Sequence, residues 1–191
     1  MDSLNDDLTR RVGTRVAQRR SEAGISLDDL AARTNVSRAM ISRIERGEVN
    51  ASAVVLDRLC DGLAMTLWQL FARADAASPL ARFAEQPVWR DPASGYLRRT
   101  VSPPDRGSAV TIAEIEFPAG SSVTLEPSHH RFMDQHVWCL AGEMEITLGV
   151  ETHRLMHGDC LHMRPEPGIR FANRSGSAAR YAVILSMETR P

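Results

Sequence analysis

Lysine is absent from this 191-residue chain, so all 23 of its basic side chains are arginines. With 24 acidic residues, the formal net charge at pH 7 is only −1. A chain so close to neutrality has no overall basic field, so any affinity for nucleic acid must come from local arginine clusters. We attribute the missing lysine mainly to genome composition, although guanidinium groups also suit bidentate contacts to phosphate and guanine.

Cysteine is scarce as well, and the three thiols stand far apart at Cys60, Cys139 and Cys160. The odd number and the lack of a CxxC pair argue against a disulfide framework and against a zinc finger. Each cysteine lies within an apolar run, which predicts three buried, reduced thiols.

Long apolar runs are missing too, since none approaches the roughly 20 residues that cross a bilayer. Residues 1–7 are acidic and polar and contain no apolar signal-peptide core. We therefore expect a cytoplasmic protein without a membrane partner. Sequence frames for a Ser-His-Asp triad, a phosphate-binding loop and a dinucleotide fold are also absent, so no motif predicts catalysis.

The apolar pattern changes its period along the chain, which predicts two domains of different class. Residues 1–73 have helical spacing, and residues 88–191 form short β-like runs separated by turn residues. Residues 74–87 are alanine-rich with two prolines and read as a linker with one helical turn. The expected fold class is α plus all-β, with a five-helix bundle followed by a β-barrel.

Helix caps divide the first domain into five short helices. The first is expected over residues 4–23 and ends at Gly24. The later helices are expected to start at small hydroxyl residues, which accept hydrogen bonds from the first backbone amides: Ser26, Ser37, Ser52 and Thr66. Asn35 and Gly47 are expected to end the second and third helices.

The third helix, over residues 38–46, has the pattern of a DNA-recognition helix. Its buried face is expected to consist of Ile44 with either Met40 or Ile41, whereas Arg38, Ala39, Ser42 and Arg43 face outward. The run VSRAMISRIERGEVN, within residues 25–71, resembles the helix-turn-helix of phage repressors, the Cro/CI-like or XRE family. The resemblance implies a bacterial transcription regulator that binds double-stranded operator DNA as a homodimer.

Family positions also imply individual contacts to DNA. Arg38, Ala39 and Arg43 occupy base-reading places, with Ser42 beside them, and Ser37 stands where the helix start meets phosphate. The further phosphate contacts are expected from four polar side chains: Arg11, Arg15, Arg46 and Asn50. Leu27 replaces a glutamine common in the family, which implies weaker phosphate anchoring, and Glu45 is expected to pair with a neighbouring arginine.

The second domain resembles a cupin, a double-stranded β-barrel or jelly roll. Residues 120–142 and 158–173 have the frames of its two signatures, with their glycines and a proline turn. On those frames the usual metal ligands become Ser128, His130, Gln135 and Ile169, of which only His130 has a metal-binding side chain. We expect no cofactor. His130 and His136 are the weak metal candidates, although His136 should face away from Gln135 on a strand.

Without a metal, the barrel interior is expected to bind a small-molecule effector. The ligand-binding residues expected there are His130, Gln135, Val137, Cys139, Arg170, Phe171 and Tyr181. Trp138, Met163, Phe171 and Tyr181 either line a cavity or simply form core. Three arginines would clamp a carboxylate or sulfate if they point inward: Arg98, Arg131 and Arg170.

Three functions are compatible with this organisation. The first is a regulator whose barrel senses an effector and changes operator binding. The second is a metal-dependent cupin enzyme fused to a helix-turn-helix. In the third, the barrel only pairs subunits.

Overall fold

The computed structural model of the protein describes residues 2–72, 78–103, 108–127, 133–164 and 168–187. The chain forms two compact units. The first comprises Met1–Phe71 together with the short segment Asp91–Ala93, and the second comprises Ala72–Arg90 and Ser94–Pro191. Much of the segment expected as a linker thus belongs to the second unit, where Phe83–Glu85 forms a single 3-10 turn.

The first unit is the expected five-helix bundle. Its helices are α1 (Asp2–Glu22), α2 (Leu27–Thr34), α3 (Arg38–Glu45), α4 (Ala53–Gly62) and α5 (Leu67–Phe71). The side chains of Ser26, Ser37 and Ser52 accept hydrogen bonds from amides in the first turns of α2, α3 and α4. Thr66 does the same for α5 through the amide of Gln69. All four predicted caps are therefore confirmed.

One apolar core runs through this bundle and explains why the helices associate. It contains Leu8, Val12, Val16, Leu30, Ile41, Ile44, Leu56, Leu59, Cys60, Leu70 and Phe71, all buried. Full burial of one such side chain contributes roughly 1.5–3 kcal/mol, so packing outweighs the weak intrinsic preference of helices this short. Among the described residues, no helix combines the length and apolarity that a membrane span requires.

The described residues of the second unit form ten strands in two antiparallel sheets. The strands are β1 (Val88–Arg90), β2 (Leu97–Thr100), β3 (Val110–Phe117), β4 (Ser122–Leu125), β5 (Met133–Ala141), β6 (Glu143–Leu148), β7 (Glu151–Met156), β8 (Cys160–Met163), β9 (Ile169–Ala172) and β10 (Ala179–Met187). One sheet has the order β1-β2-β3-β10-β5-β8, and the other has the order β4-β9-β6-β7. This double-sheet arrangement is a jelly roll, the architecture of cupins, as the sequence predicted.

The cysteines show where the sequence prediction was wrong. Cys60 and Cys139 are buried, but Cys160 is exposed. Cys160 pairs in register with Trp138, whose side chain is 48% exposed on the outer face of the six-stranded sheet. Alternation along β8 therefore turns Cys160 outward and Met163 inward. Trp138 likewise does not line the interior.

Candidate nucleic-acid interface and barrel interior

Helix α3 has one buried face and one face turned to solvent. Ile41 and Ile44 are buried in the bundle, whereas Arg38, Ala39 and Arg43 are exposed. Ser42 lies half-buried at the border between the two faces. A helix that is packed against the bundle on one side and polar on the other can insert its polar side into a DNA major groove.

Two contacts from α1 fix the position of α3. A Cβ atom built on Gly13 would lie 2.1 Å from the carbonyl oxygen of Ile44, so only glycine permits this close approach of the helices. Arg20 pairs with Glu45 through two bonds of 2.6 and 2.9 Å and donates a third, of 3.0 Å, to the carbonyl of Ile25. Glu45 therefore holds the helix in place, as the sequence predicted.

Several of the arginines expected to contact DNA have partners inside the protein. Arg38 pairs with Asp28 at 3.2 Å, and Arg11 pairs with Asp7 at 3.6 Å. These exposed pairs contribute little, about 0–1 kcal/mol each, so a phosphate would displace the carboxylates at small cost. Arg15 differs because it is half-buried and donates a 3.0 Å bond to the Gln69 carbonyl, which commits part of its guanidinium to the bundle.

Arg46 is held at the end of α3 by the residues around it. Its guanidinium makes a two-pronged contact with the Glu48 carboxylate and donates to the Ser42 hydroxyl. The hydrogen bond from Arg46 also lowers the pKa of Glu48 below its usual value. Contact of Arg46 with phosphate would place Glu48 beside the DNA backbone, so Arg46 and Glu48 would have to separate or rearrange.

Arg43 is the best placed of these arginines for reading a base. Its side chain is exposed, and within the described residues it has neither a hydrogen bond nor an ion pair. Its charge interacts with the Glu48 carboxylate and helps to lower the pKa of that group. Arg43 therefore has its donors available for a base edge without first breaking a contact in the protein. Asn50, the remaining expected contact, is half-buried after α3.

A residue that the sequence analysis missed supports helix α4. Asp91 follows β1 directly, yet it belongs to the first unit and is only 1% exposed. Its Oδ1 accepts a 3.0 Å hydrogen bond from the backbone amide of Ala53, the first residue of α4. A buried carboxylate at a helix N-terminus is favoured by the helix dipole. No local pattern marks this role, because the partner lies 38 positions away in the chain.

The inner face of the six-stranded sheet carries the polar groups of the barrel interior. Strand pairing aligns five buried side chains in one row across it: Trp89, Arg98, Ile115, Tyr181 and Cys139. Further along the same face lie the buried side chains of Thr100, Thr111, Gln135 and Val137. Burial raises the pKa of the Tyr181 phenol well above its usual value, which keeps it neutral as a hydrogen-bond donor.

The inner face of the four-stranded sheet is mostly apolar by contrast, although His153 continues its central row on β7. Val123, Phe171 and Ile146 form its central row and are buried, and Ile169 is buried beside them. The Phe171 ring lies parallel to that of Tyr181, at an angle of 4° and a centroid distance of 5.9 Å. Most of the polar side chains on the two inner faces therefore lie on the six-stranded sheet.

The structure brings together most of the expected ligand-binding residues. Gln135, Val137, Cys139, Phe171 and Tyr181 are all buried on the two inner faces. Arg170 lies apart from them, because its neighbours on β9 point inward and leave its side chain exposed on the outer face. His130 and the neighbouring Ser128 and Arg131 lie outside the described residues.

The two described metal positions give no set of ligands. Ile169 is buried and has no donor atom, and Gln135 offers only a neutral amide. His136 is exposed on the opposite face from Gln135, as expected, and its ring lies 4.9 Å from that of His162. In the parts of the chain that the structure describes, no group of three histidine, cysteine or acidic side chains is arranged to hold a metal.

Comparison with known proteins shows which families and proteins these features resemble. Residues 11–68 match the family model of the helix-turn-helix domain. The chain is 25% identical over 167 residues to the HTH-type transcriptional regulator SutR of Escherichia coli (strain K12), which covers 87% of this chain and 85% of that protein.

One solved structure shares the fold over nearly the whole chain. An HTH_3 family transcriptional regulator from Vibrio cholerae superposes with a TM-score of 0.79 at 20% identity, covering 96% of this chain and 99% of that one. The two proteins thus have the same fold over nearly their whole length. The cupin domain of an XRE family regulator from Enterobacter cloacae aligns with 49% of this chain and 97% of its own, at 16% identity and a TM-score of 0.45.

Proposed function

We propose that this chain, a helix-turn-helix transcriptional regulator with a cupin domain, binds operator DNA as a homodimer and that a small effector in the barrel adjusts this binding. The observation that carries the proposal is the polar face of α3, on which Arg43 is exposed while the opposite face is buried.

Arg43 supplies the direct readout in this proposal. A guanidinium in the major groove donates two hydrogen bonds to the O6 and N7 atoms of guanine, a pattern that no other base pair presents. Arg38 and Ala39 precede it by one turn on the exposed face and would contact neighbouring bases. Ser37, at the start of α3, would meet a phosphate.

Dimer formation follows from the small size of the recognition surface. A single helix-turn-helix contacts one half-site, and proteins of this type reach useful affinity by binding two half-sites roughly 34–36 Å apart. Each copy of the chain would contribute one α3.

In this proposal the barrel binds a ligand and does not catalyse a reaction. Cupin enzymes rely on a metal to activate oxygen or polarise a substrate. Isoleucine at position 169 and glutamine at position 135 leave at most a weak donor at two of the four ligand positions. We therefore propose an effector site that works without a metal.

The β1–β2 hairpin is the proposed route from the barrel to the DNA-binding unit. Aromatic contacts run from Phe171 to Tyr181, then Phe117, Tyr96 and Trp89, with centroid distances of 5.5–6.4 Å. Trp89 lies two residues before Asp91, which holds the first amide of α4. Rearrangement of this aromatic chain by an effector would therefore reach α4, the helix that follows the recognition helix.

DNA selection from a random library with the full chain tests the operator proposal. We expect a two-fold symmetric site, and we expect Arg43→Ala to weaken binding to it by roughly 1–3 kcal/mol and to relax the preference at one base position. Arg180→Ala, which removes an exposed arginine from the second unit, is the matched control and should bind normally. Unchanged affinity and base preference in Arg43→Ala would contradict the assignment of α3.

The effector proposal has a thermodynamic test of its own. If a compound changes operator affinity, operator must change the affinity for that compound by the same factor. Fluorescence anisotropy of labelled operator and calorimetry of the compound measure the two factors independently. A compound that binds equally well with and without operator would not be an effector, and the coupling between barrel and operator would be contradicted for it.

A further inference from the structure

The two sheets of the second unit differ in the chemistry of their outer faces. Antiparallel sheets commonly place one face on the core and present a polar face to water. The four-stranded sheet follows this rule, since its outer face is lined mainly by polar side chains such as Arg170, Glu145 and Arg154. The outer face of the six-stranded sheet, formed by the side chains that alternate with its buried ones, is largely apolar at its centre.

Exposed apolar side chains are concentrated on this outer face. Seven large apolar side chains are exposed among the described residues, and three of them lie here: Val88, Val110 and Trp138. Each alternates along its strand with a buried neighbour, which turns it outward. Phe83 joins them, because the guanidinium carbon of Arg99, on the outer side of β2, lies 4.0 Å from its ring centroid. More than half of these seven side chains therefore belong to one sheet face.

The centre of this face is a continuous apolar surface. Ile112 and Ile184 are paired in register on β3 and β10, and both are half-buried. Ala182 follows on the same side of β10 and pairs with Trp138 on β5. Val110 lies two residues before Ile112 on the same side of β3. An apolar patch with a polar rim marks a contact with another protein, and tryptophan is enriched at the centre of such contacts.

Charged side chains around the apolar surface occur with both signs. Glu114 lies opposite Arg99 in the register of β2 and β3. Asp134 pairs with Arg164 at 3.1 Å, at the β5–β8 side of the face. Matched signs leave little net charge on the described part of this face, either to attract nucleic acid or to repel an identical face. The charge distribution therefore favours a second copy of the chain as the partner.

The size of the face also suits a pair of identical chains. Three of its six strands have eight or nine residues. At a strand spacing of about 4.8 Å and a rise of about 3.3 Å per residue, the face measures roughly 25 by 25 Å. Two such faces in contact would together bury about 1,200 Å², which is the lower end of the range for specific, stable interfaces.

We propose that this outer face is the surface through which two copies of the chain form the homodimer. A two-fold interface uses the same patch on both copies, so the apolar centre of one face would cover that of the other. This inference rests on the homodimer of the proposed function, and it names the surface that forms it. The outside of the barrel would then pair the subunits and leave the inside to the effector.

Sedimentation velocity of the full chain, free and bound to operator, tests the proposal. We expect a dimer of the wild type. Trp138→Glu places a charge in the apolar centre and should raise the dimer dissociation constant by roughly thirtyfold or more. Met156→Glu is the matched control, because Met156 is 52% exposed on the outer face of the other sheet, and it should dimerise normally. If Trp138→Glu does not fold, judged by circular dichroism, Val110→Glu replaces it.

The thiol of Cys160 gives a second measurement that requires no substitution. Cys160 is exposed on this face in register with Trp138, whereas Cys60 and Cys139 are buried. The interface would cover Cys160, so iodoacetamide should alkylate it several-fold more slowly in the dimer than in protein diluted below the dissociation constant. The same alkylation rate in monomer and dimer would contradict an interface that includes β8.

The remaining outcomes separate the interface from the proposed function. A wild-type dimer that persists in folded Trp138→Glu and Val110→Glu would overturn the inference and leave the proposed regulator intact. A wild type that is monomeric both free and on operator would overturn the inference together with the proposed homodimer, and would leave this face to a different protein. A dimer that dissociates as expected but selects no operator would support the interface and contradict the proposed DNA binding.

Discussion

The candidate binding surface of the first unit lies on its outside, whereas the candidate effector surface of the second unit lies in its interior. In the first unit the surface points outward on α3, and a separate set of residues beneath it carries the packing. In the second unit the surface points inward, so that residues such as Tyr181 and Phe171 both form the core and face the proposed ligand.

This difference has a consequence for how the two surfaces respond to substitution. A residue on the exposed face of α3 can change without loss of stability, because it contacts little within the protein. A residue on the inner wall of the barrel cannot, because its removal leaves a cavity or an unpaired polar group. Substitutions at the binding surface of the first unit should therefore change binding without changing stability. In the second unit, substitutions at the effector surface should change both.

Gly13→Ala should have the largest effect. It tests the first unit by changing the packing beneath α3 instead of its exposed face. In an unhindered helix this change stabilises by roughly 0.5–1 kcal/mol. Here the added Cβ would lie 2.1 Å from the Ile44 carbonyl oxygen, so we expect destabilisation of roughly 1–3 kcal/mol and weaker operator binding. Urea unfolding measures the change in stability, and fluorescence anisotropy measures the change in operator affinity. Gly176→Ala, where no atom lies within 4 Å of the new Cβ, is the control.

If Gly13→Ala stabilised the protein, the helices would have room to move apart, and the close packing of α1 on α3 would not control the recognition surface. Gly13→Ala and Arg43→Ala would then both leave the core unchanged. The two variants could no longer distinguish the packing beneath α3 from its exposed face.

Asp91→Ala should have a smaller effect, and it tests whether the two units behave independently. The substitution removes the acceptor for the Ala53 amide, and loss of such a contact at a helix start costs about 1–2 kcal/mol. We expect a lower melting temperature and a reduced effect of any effector on operator binding. Asp91→Asn, which retains an acceptor oxygen, should recover most of the stability.

An Asp91→Ala variant with normal stability and full effector response would show that the hairpin carries no signal to α4. The proposed route through the aromatic chain would then be wrong, whatever the barrel binds.

Tyr181→Phe should have the smallest effect near neutral pH. It tests whether a side chain on the inner face of the barrel also contributes to stability. Burial raises the folded-state pKa of this phenol, so its neutral form is favoured in the fold. The associated stability is present below the unfolded pKa of about 10 and is lost as pH rises above that value. We expect Tyr181→Phe to make the alkaline side of the stability profile flatter, as measured by urea unfolding across pH. An identical alkaline decline in both proteins would contradict the assignment.

The sequence predicted the first unit in detail because its signals are local. A cap, a stop and an apolar face all lie within a few residues of the helix they define, so Ser26, Ser37, Ser52 and Thr66 were sufficient to locate four helix starts. Glu45 was also predicted to pair with an arginine, although its partner, Arg20, lies 25 residues away on another helix.

In the second unit, the sequence showed that side chains alternate along the strands. It did not show, for every strand, which of the two alternating sets faces inward. Gln135, Val137 and Cys139 were placed correctly from one signature, yet Cys160 and Trp138 were expected inside and lie outside. The run LRRT, residues 97–100, contains two adjacent arginines that must face opposite ways on a strand. Only sheet pairing reveals that Arg98 faces the interior.

The sequence by itself thus determined the two domain classes and the bounds and exposed face of helix α3, because composition and short-range spacing define each of these. Tertiary structure alone decided that Gly13 lets α1 approach α3, that Asp91 supports α4, and that Arg98 is buried on the inner face of its sheet. Each of these depends on strands or helices that meet in space after long separations in the chain, and no local pattern records such a meeting.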